Sequence, residues 1–349
     1  MNDNNQRLQQ NREIVDKLLE VLGSYRRLII IGHDHPDPDF LASAQALKFI
    51  TKTWVGIPAV ITSEGVLGRA ENRTMVRLLK IKLTPPSRVK FRKSTAVALL
   101  DTQPGTGNNS LPEGVEVQII IDHHPRRKGT EAPVVDVRSR YGATSSILAG
   151  YLQALEADLP ANLATALSYG IASETQDLGR ETGEEDIAGY LFALEKANKK
   201  HLGQIKHPKV SRYYFMAVDK ALHNAFYYRN VIGARLGEVD QPDVIPQMAD
   251  LLLSHERMTW SICSGFFGDE LLLSARSSSV RAKLGQLLRR LVHKKGTAGG
   301  HELSAGAQID CQGLSQAERL RLEESLLMDF IRRITHQKEV EPKALISRD

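Results

Sequence analysis

The stretch RRLIIIGHDHPDPDFLASAQALKFI, Arg26 to Ile50, decides the fold. Arg26 to Ile31 is a short continuous apolar run, the pattern of a strand buried on both faces of a parallel sheet. Gly32 ends it, the polar GHDHPDPD follows, and Phe40 to Ile50 is rich in helix formers. Strand, polar loop and helix in that order make the first unit of an α/β fold. The rhythm repeats downstream. Trp54 to Ile61, Thr95 to Leu100 and Val115 to Ile121 predict strands, while Arg69 to Leu79, Tyr141 to Leu155 and Ala161 to Ser173 predict helices. Upstream, Ile14 to Leu22 places apolar side chains at helical spacing. The expectation is an α/β fold whose N-terminal, mostly parallel sheet has helices on both faces. Ligands of such sheets sit outside the carboxyl ends of the strands.

The chain has 349 residues, room for about two domains. Helical patterning with many charges runs from Gly183 to His201 and fails in LGQIKHPKV, so the expected division is a first domain over 15–190, a linker over 191–212 and a second domain over 213–335. In the second part, Phe226 to Leu236, Thr259 to Phe267 and Glu270 to Ser274 predict strands. Val244 to Leu253, Val280 to Val292 and Gln316 to Ile334 predict helices, giving a smaller α/β domain. The polar last dozen residues are expected to fray. Lys and Arg total 46 against 41 Asp and Glu, a modest positive excess compatible with anionic substrates. Two cysteines, Cys263 and Cys311, exclude a disulfide framework and fit a reducing cytoplasm. The N-terminus lacks the apolar core of a signal peptide, and no apolar run is long enough to cross a membrane.

Three strand ends carry acids or imidazoles: His33, Asp37 and Asp39 after the first, Asp101 after the strand ending LLD, and Asp122, His123 and His124 after the strand ending IIID. Such groups converging at one sheet edge would repel one another or lose hydration without a counter-ion. Divalent metals resolve the conflict, because they favour ionised carboxylates and neutral imidazoles. Each residue alone has a plainer reading as a strand-end polar group, and Asp39 could simply cap the following helix. Mixed Asp and His donors without cysteine favour manganese, with magnesium or cobalt as alternatives.

These motifs resemble the DHH superfamily of phosphoesterases, named for the triplet at Asp122, His123 and His124. The resemblance runs from about Arg26 to Ile334 and is best to the branch that joins a DHH domain to a smaller DHHA1-type domain, the oligoribonuclease (nanoRNase) and 3′-phosphoadenosine 5′-phosphate phosphatase proteins. The His-x3-Asp-x-Asp motif falls on His33, Asp37 and Asp39, with Pro38 where Gly is usual. The fourth motif appears as GIASETQDLGR, with Glu174 in place of the last metal-binding Asp and Asp177 as a fallback. The resemblance implies one metal on His33, Asp37 and Asp101 and another on Asp39, Asp101, His123 and Glu174, with Asp101 bridging. It also implies that Asp122 orients the site and His124 faces the phosphate. The GGHELSAG segment looks like the family's GGGH motif, which implies substrate contacts from Gly299, Gly300 and His301; Arg276 resembles an arginine that anchors a terminal phosphate. By itself that segment is a glycine turn with a surface His, and Arg276 simply ends a strand.

The expected activity is hydrolysis of short single-stranded RNA or related small nucleotides by a water activated between two metals. A 3′-phosphoadenosine 5′-phosphate phosphatase and a cyclic-dinucleotide phosphodiesterase are the alternatives. A manganese pyrophosphatase fits less well because of the GGH motif, and a nucleotide sensor with a degenerate metal site is the non-enzymatic rival. A homodimer is compatible with the sequence, and no membrane association is expected.

Overall fold

The computed structural model describes residues 3–279, 281–300 and 302–346. The chain forms two compact units, Met1–Lys209 and Val210–Asp349.

The first unit is built on β1 (Arg27–Ile31), β2 (Ala59–Thr62), β3 (Leu83–Thr84), β4 (Thr95–Leu100), β5 (Ile119–Asp122) and β6 (Val134–Val137). Their order is β3-β2-β1-β4-β5-β6 and every pairing is parallel. Chain order reverses between β1 and β4, which makes their shared carboxyl end the topological switch point, where α/β sheets open a crevice. Among the described residues, the α-helices of this unit are α1 (Asp3–Gly23), α2 (Pro38–Ile50), α3 (Ala70–Leu79), α4 (Thr144–Ala154), α5 (Ala161–Glu174), α6 (Glu184–Lys196) and α7 (Lys199–Lys206).

Alternation along the strands sorts the core into two layers. Leu28, Ile30, Ala98 and Ile121 pack with Leu18, Phe40, Leu47, Leu148 and Leu167 from the helices. Ile29, Ile31, Val97, Leu99 and Ile120 lie instead under Phe91, Leu111, Val115 and Val117. Helices thus pack on the first layer, and Phe91, Leu111, Val115 and Val117 cover the second.

Four expectations need correction. Trp54 does not begin a strand: α2 runs on into a π-helical turn, Thr51–Val55, stopped by Gly56 in the left-handed conformation, and β2 starts only at Ala59. Val115 and Val117 cover the sheet rather than belong to it. The supposed linker is largely helical, because α7 buries Leu202 and Ile205 in the first core. Phe226 to Leu236 is not one strand but a hairpin, β7 (Ala225–Tyr228) and β8 (Val231–Glu238), turned by Arg229 with a positive φ.

The second unit adds β9 (Trp260–Phe267), β10 (Glu270–Ser277), β11 (Thr297–Gly300), β12 (Ser304–Asp310) and β13 (Lys343–Ala344), with α8 (Arg212–His223), α9 (Val244–Leu253), α10 (Leu284–Leu291) and α11 (Gln316–Thr335). Its sheet runs β11-β12-β10-β9-β8-β7-β13, with only β8 and β9 parallel. Leu288 and Phe330 of α10 and α11 pack on one face; Ala221 and Met248 of α8 and α9 pack on the other. Part of the tail expected to fray is held, since Lys343 and Ala344 pair with β7. Among the described residues, no helix is long and apolar enough to cross a membrane.

Candidate metal centre

Asp101 is the hub of the site. It follows the last residue of β4, its side chain is almost wholly buried, and its φ is 58°, a left-handed conformation uncommon for a residue with a side chain. Its amide donates to the carbonyl of Ile121 at 3.0 Å, which ties the turn to the neighbouring strand. The kinked backbone carries the carboxylate into the crevice at the switch point.

Two groups of donor atoms meet on that carboxylate. His33, Asp37 and Asp101 form one and Asp101, His123 and His124 the other, with the ligand-type atoms in each within 4.8 Å of one another. His33 Nε2 stands 3.4 Å from Asp37 Oδ2 and 3.5 Å from Asp101 Oδ2. On the opposite oxygen, His123 Nε2 and His124 Nδ1 are each 3.6 Å from Asp101 Oδ1.

The imidazoles are aimed by their other nitrogens. His33 Nδ1 donates to the carbonyl of Asp34 at 2.8 Å, and His123 Nδ1 donates to the carbonyl of Tyr141 at 3.2 Å. Each ring, when neutral, therefore presents the lone pair of Nε2 to Asp101, the arrangement in which histidine binds metals. His124 is built differently. Its Nδ1 lies 2.8 Å from Asp122 Oδ1, and its amide donates to the same oxygen at 3.2 Å. Gln103 holds the other oxygen of buried Asp122 through Nε2 at 2.6 Å. The Gln103 carbonyl oxygen is itself taken by the Arg127 amide and the Thr130 hydroxyl, both at 2.8 Å.

The first turn of α4 secures the acids. The amides of Thr144 and Ser145 each donate to one oxygen of Asp39 at 2.7 Å, and Thr144 Oγ1 donates to Asp101 Oδ1 at 2.9 Å. Asp39 thus caps α4, while Asp37 caps its own helix by accepting from the Phe40 amide at 3.0 Å. The alternative reading of Asp39 as a cap is met, but on a helix more than a hundred residues away. Neither Asp39 nor Glu174 joins the two tight groups around Asp101. Glu174 ends α5, and Arg180 reaches it with Nη2 at 2.9 Å from its carbonyl and 3.4 Å from Oε1. Asp177, the fallback ligand, is instead largely exposed and paired with Lys206.

Electrostatics at this edge are strained without cations. Burial and the charges of Asp101 and Asp37 push the Asp39 carboxyl well above its ordinary range. Burial with Asp37 and Asp101 lifts Glu174 to about 7. Burial alone would lower His124, but its hydrogen bond to Asp122 and the charges of Asp101 and Asp122 raise it to about 9. His33 is likewise raised against its burial by Asp37 and Asp101, and Asp101 is lowered against its burial by the surrounding histidines. In the absence of cations, protons hold the cluster together. Divalent metals fit this donor set, since they replace those protons and leave the carboxylates ionised.

The substrate residues expected in the second unit fall otherwise. Gly299 and Gly300 lie not in a loop but on exposed edge strand β11, paired with Gly306 and Ala305. His301 lies outside the described residues. Arg276 is paired within its own unit: its Nε is 2.7 Å from Asp250 Oδ1 and its Nη1 donates to Ser274 Oγ at 2.9 Å. Sequence reading missed Gln103 and Arg180, for which no local pattern gives a signal. Thr144 carries a signal as a hydroxyl at a helix start, one that an ordinary N-cap would give equally.

A parallel sheet whose switch point gathers acids and imidazoles defines a class of α/β domain with a metal-type centre at the carboxyl ends of its strands. Residues 27–171 match the DHH family, N-terminal domain. It is 36% identical over 299 residues to "Uncharacterized protein MJ1633" of Methanocaldococcus jannaschii, covering 84% of this chain and 61% of that protein. The chain thus spans about three-fifths of the length of that relative. It is also 26% identical over 156 residues to a "Probable manganese-dependent inorganic pyrophosphatase" of Streptococcus equi subsp. zooepidemicus, covering 43% of this chain and 48% of that one. In fold, it is similar to the crystal structure of an exopolyphosphatase-related protein from Bacteroides fragilis, with a TM-score of 0.66, 14% identity, and coverage of 91% of this chain and 97% of that one.

Proposed function

We propose that this chain is a metal-dependent phosphoesterase acting on short RNA oligonucleotides or related small nucleotides. The observation that carries the reading is the Asp101 carboxylate, which meets a His and Asp pair on one side and two imidazoles on the other. His33, Asp37, Asp101 and His123 would hold divalent cations, which would supply positive charge for a phosphoryl group and lower the pKa of a water. Manganese is favoured by the mixed Asp and His donors and by the manganese-dependent description of a relative that matches 43% of this chain.

The chain's own residues do the rest. His33 and His123 would serve as neutral Nε2 donors, held by the carbonyls of Asp34 and Tyr141. Asp101 would bridge, with one oxygen toward each group, and α4 fixes its carboxylate through Thr144. His124 is the acid–base candidate. Asp122 holds its Nδ1, and the side chain keeps nearly a third of its surface exposed, so Nε2 can exchange a proton with a phosphoryl oxygen or leaving group. Asp39 and Glu174 would complete the ligand set, with Glu174 leaving Arg180 to do so.

The test is a substrate panel of dinucleotides, longer RNA, 3′-phosphoadenosine 5′-phosphate, a cyclic dinucleotide and pyrophosphate, run with manganese, magnesium and cobalt. Preference for short RNA, lost on chelation and in Asp101→Ala, is the expected result. Preference for pyrophosphate, favoured by the similarity of part of this chain to a probable pyrophosphatase, would replace the oligonucleotide reading. Tight oligomer binding with no turnover under any divalent ion would leave a sensor.

A further inference from the structure

The segment that leaves the DHH triplet reads Pro125-Arg126-Arg127-Lys128-Gly129. All three cations are exposed, and none of them forms an ion pair among the described residues. A run of surface cations is ordinarily a solvated face. This one differs in being fastened to the metal centre. Gln103 accepts from the Arg127 amide and the Thr130 hydroxyl and donates to the carboxylate of Asp122 and to the Pro125 carbonyl at 3.2 Å. The backbone of the strip is therefore set by the same side chain that sets Asp122.

Its arginines are also partly ordered. Arg126 Nη2 donates to the Thr130 carbonyl at 3.0 Å, and Arg127 Nη2 donates to the Gly105 carbonyl at 3.1 Å. One contact each restrains the guanidinium and leaves its remaining N–H groups for another acceptor. An extended chain advances at most about 3.6 Å per residue, so the Cα atoms of Arg126 to Lys128 lie within roughly 7 to 14 Å of that of His124. Their long side chains thus start near enough to His124 to meet a second phosphate of the same substrate. Guanidinium forks suit phosphate oxygens, and a flexible ammonium adds a point charge.

We propose that Arg126, Arg127 and Lys128 form a subsite for a phosphate other than the one cleaved, so that preferred substrates carry at least two phosphates. The proposal rests on the phosphoesterase reading of the centre and narrows it: a single-phosphate ester would use the metal centre alone. A phosphate of this kind belongs either to a nucleotide strand or to an inorganic polyphosphate.

The test compares wild type with the triple variant Arg126→Gln, Arg127→Gln, Lys128→Gln in the full chain. Substrates are an RNA pentanucleotide, tripolyphosphate and bis(p-nitrophenyl) phosphate, all with manganese. The variant should lose at least about tenfold in kcat/KM on one of the polyanions and less than twofold on the single-phosphate diester. A loss confined to the pentanucleotide identifies a nucleotide strand, and one confined to tripolyphosphate identifies the inorganic chain. The dependence of log kcat/KM on log salt should flatten by up to about 2 for the pentanucleotide, three contacts at roughly 0.7 each. Unchanged polyanion rates, or equal losses on all three substrates, overturn the subsite. Binding of labelled pentanucleotide and competition by tripolyphosphate, both in chelator, give a readout independent of turnover. If wild type hydrolyses nothing but the variant still loses binding, the subsite stands and the phosphoesterase reading falls. If neither turnover nor binding responds to the variant, the subsite is refuted.

Discussion

Asp122→Asn is the sharpest perturbation of the centre, because every atom around that carboxylate is committed. Asp122 Oδ1 accepts from the His124 amide and Nδ1, and Oδ2 accepts from Gln103 at 2.6 Å. An asparagine can keep one of these roles. If its oxygen stays with His124, its amide nitrogen meets the Gln103 amide nitrogen, donor against donor. Gln103 cannot turn over to accept, because its oxygen is already taken by Arg127 and Thr130. The variant loses a charge-assisted bond and buries an unpaired donor, about 3 kcal/mol together. For a unit of this size that lowers Tm by roughly 6 to 12 °C.

His124 reports the same change. In the metal-free protein its pKa is raised from 6.5 to about 9. A folded value above the unfolded one means a stabilisation complete below pH 6.5 that fades as pH rises toward 9. Asp122→Asn should lower the His124 value and flatten stability against pH in that window. Urea titrations at several pH values and the histidine NMR titration measure both, and turnover should fall about 10- to 100-fold. The double variant Gln103→Glu, Asp122→Asn restores an acceptor opposite the new amide but turns that oxygen toward the Pro125 carbonyl, which Gln103 Nε2 meets at 3.2 Å. It should regain only part of the stability while leaving the His124 pKa low and turnover poor. A single variant with wild-type stability and an unshifted His124 would refute this account of the network.

Further outcomes follow from other contacts. Asp101→Asn should lose stability without metal, because the surrounding histidines favour the ionised carboxylate, and should show no manganese binding by calorimetry; retained binding would remove Asp101 from the hub. Tyr151→Phe deletes the hydroxyl that donates to Asp136 Oδ2 at 2.5 Å, in a buried group with Arg138, and should cost about 1 to 3 kcal/mol in chemical denaturation. Cys263 is fully buried and pushed up to about 12 by burial, so its thiol should resist aromatic disulfide reagents at pH 8 until the second unit unfolds. Arg180→Gln should lower the Tm of the metal-free protein, and Glu174→Gln added to it should recover the loss; additive effects would show that the pair at 3.4 Å is not coupled.

Much of the first unit was legible because buried parallel strands are written as unbroken apolar runs. In RLIII both faces are apolar, Leu28 and Ile30 on one side and Ile29 and Ile31 on the other, so no polar residue interrupts the strand. A polar residue directly after such a run, as at Asp101, or closing it, as at Asp122, marks the sheet's carboxyl edge. What could not be read depends on tertiary partners. TKTWV has the β-branched content of a strand, yet it extends α2 and packs as a helical turn. LGQIKHPKV lost its periodicity because α7 buries little more than Leu202 and Ile205. The amides that hold Asp39 come from Thr144 and Ser145, and no local pattern links those positions. Arg180 reaches Glu174 only because Gln176, Asp177 and Leu178 take left-handed conformations in succession, which their side chains do not foretell.

The left-handed backbone at Asp101 has an evolutionary corollary. Glycine would adopt that geometry without strain, and asparagine tolerates it better than most residues. An aspartate persists there against the backbone's preference only while its negative charge is needed. Descendants of this chain that abandon chemistry should therefore drift first at this one position, toward glycine or asparagine, and long before the surrounding apolar strands change.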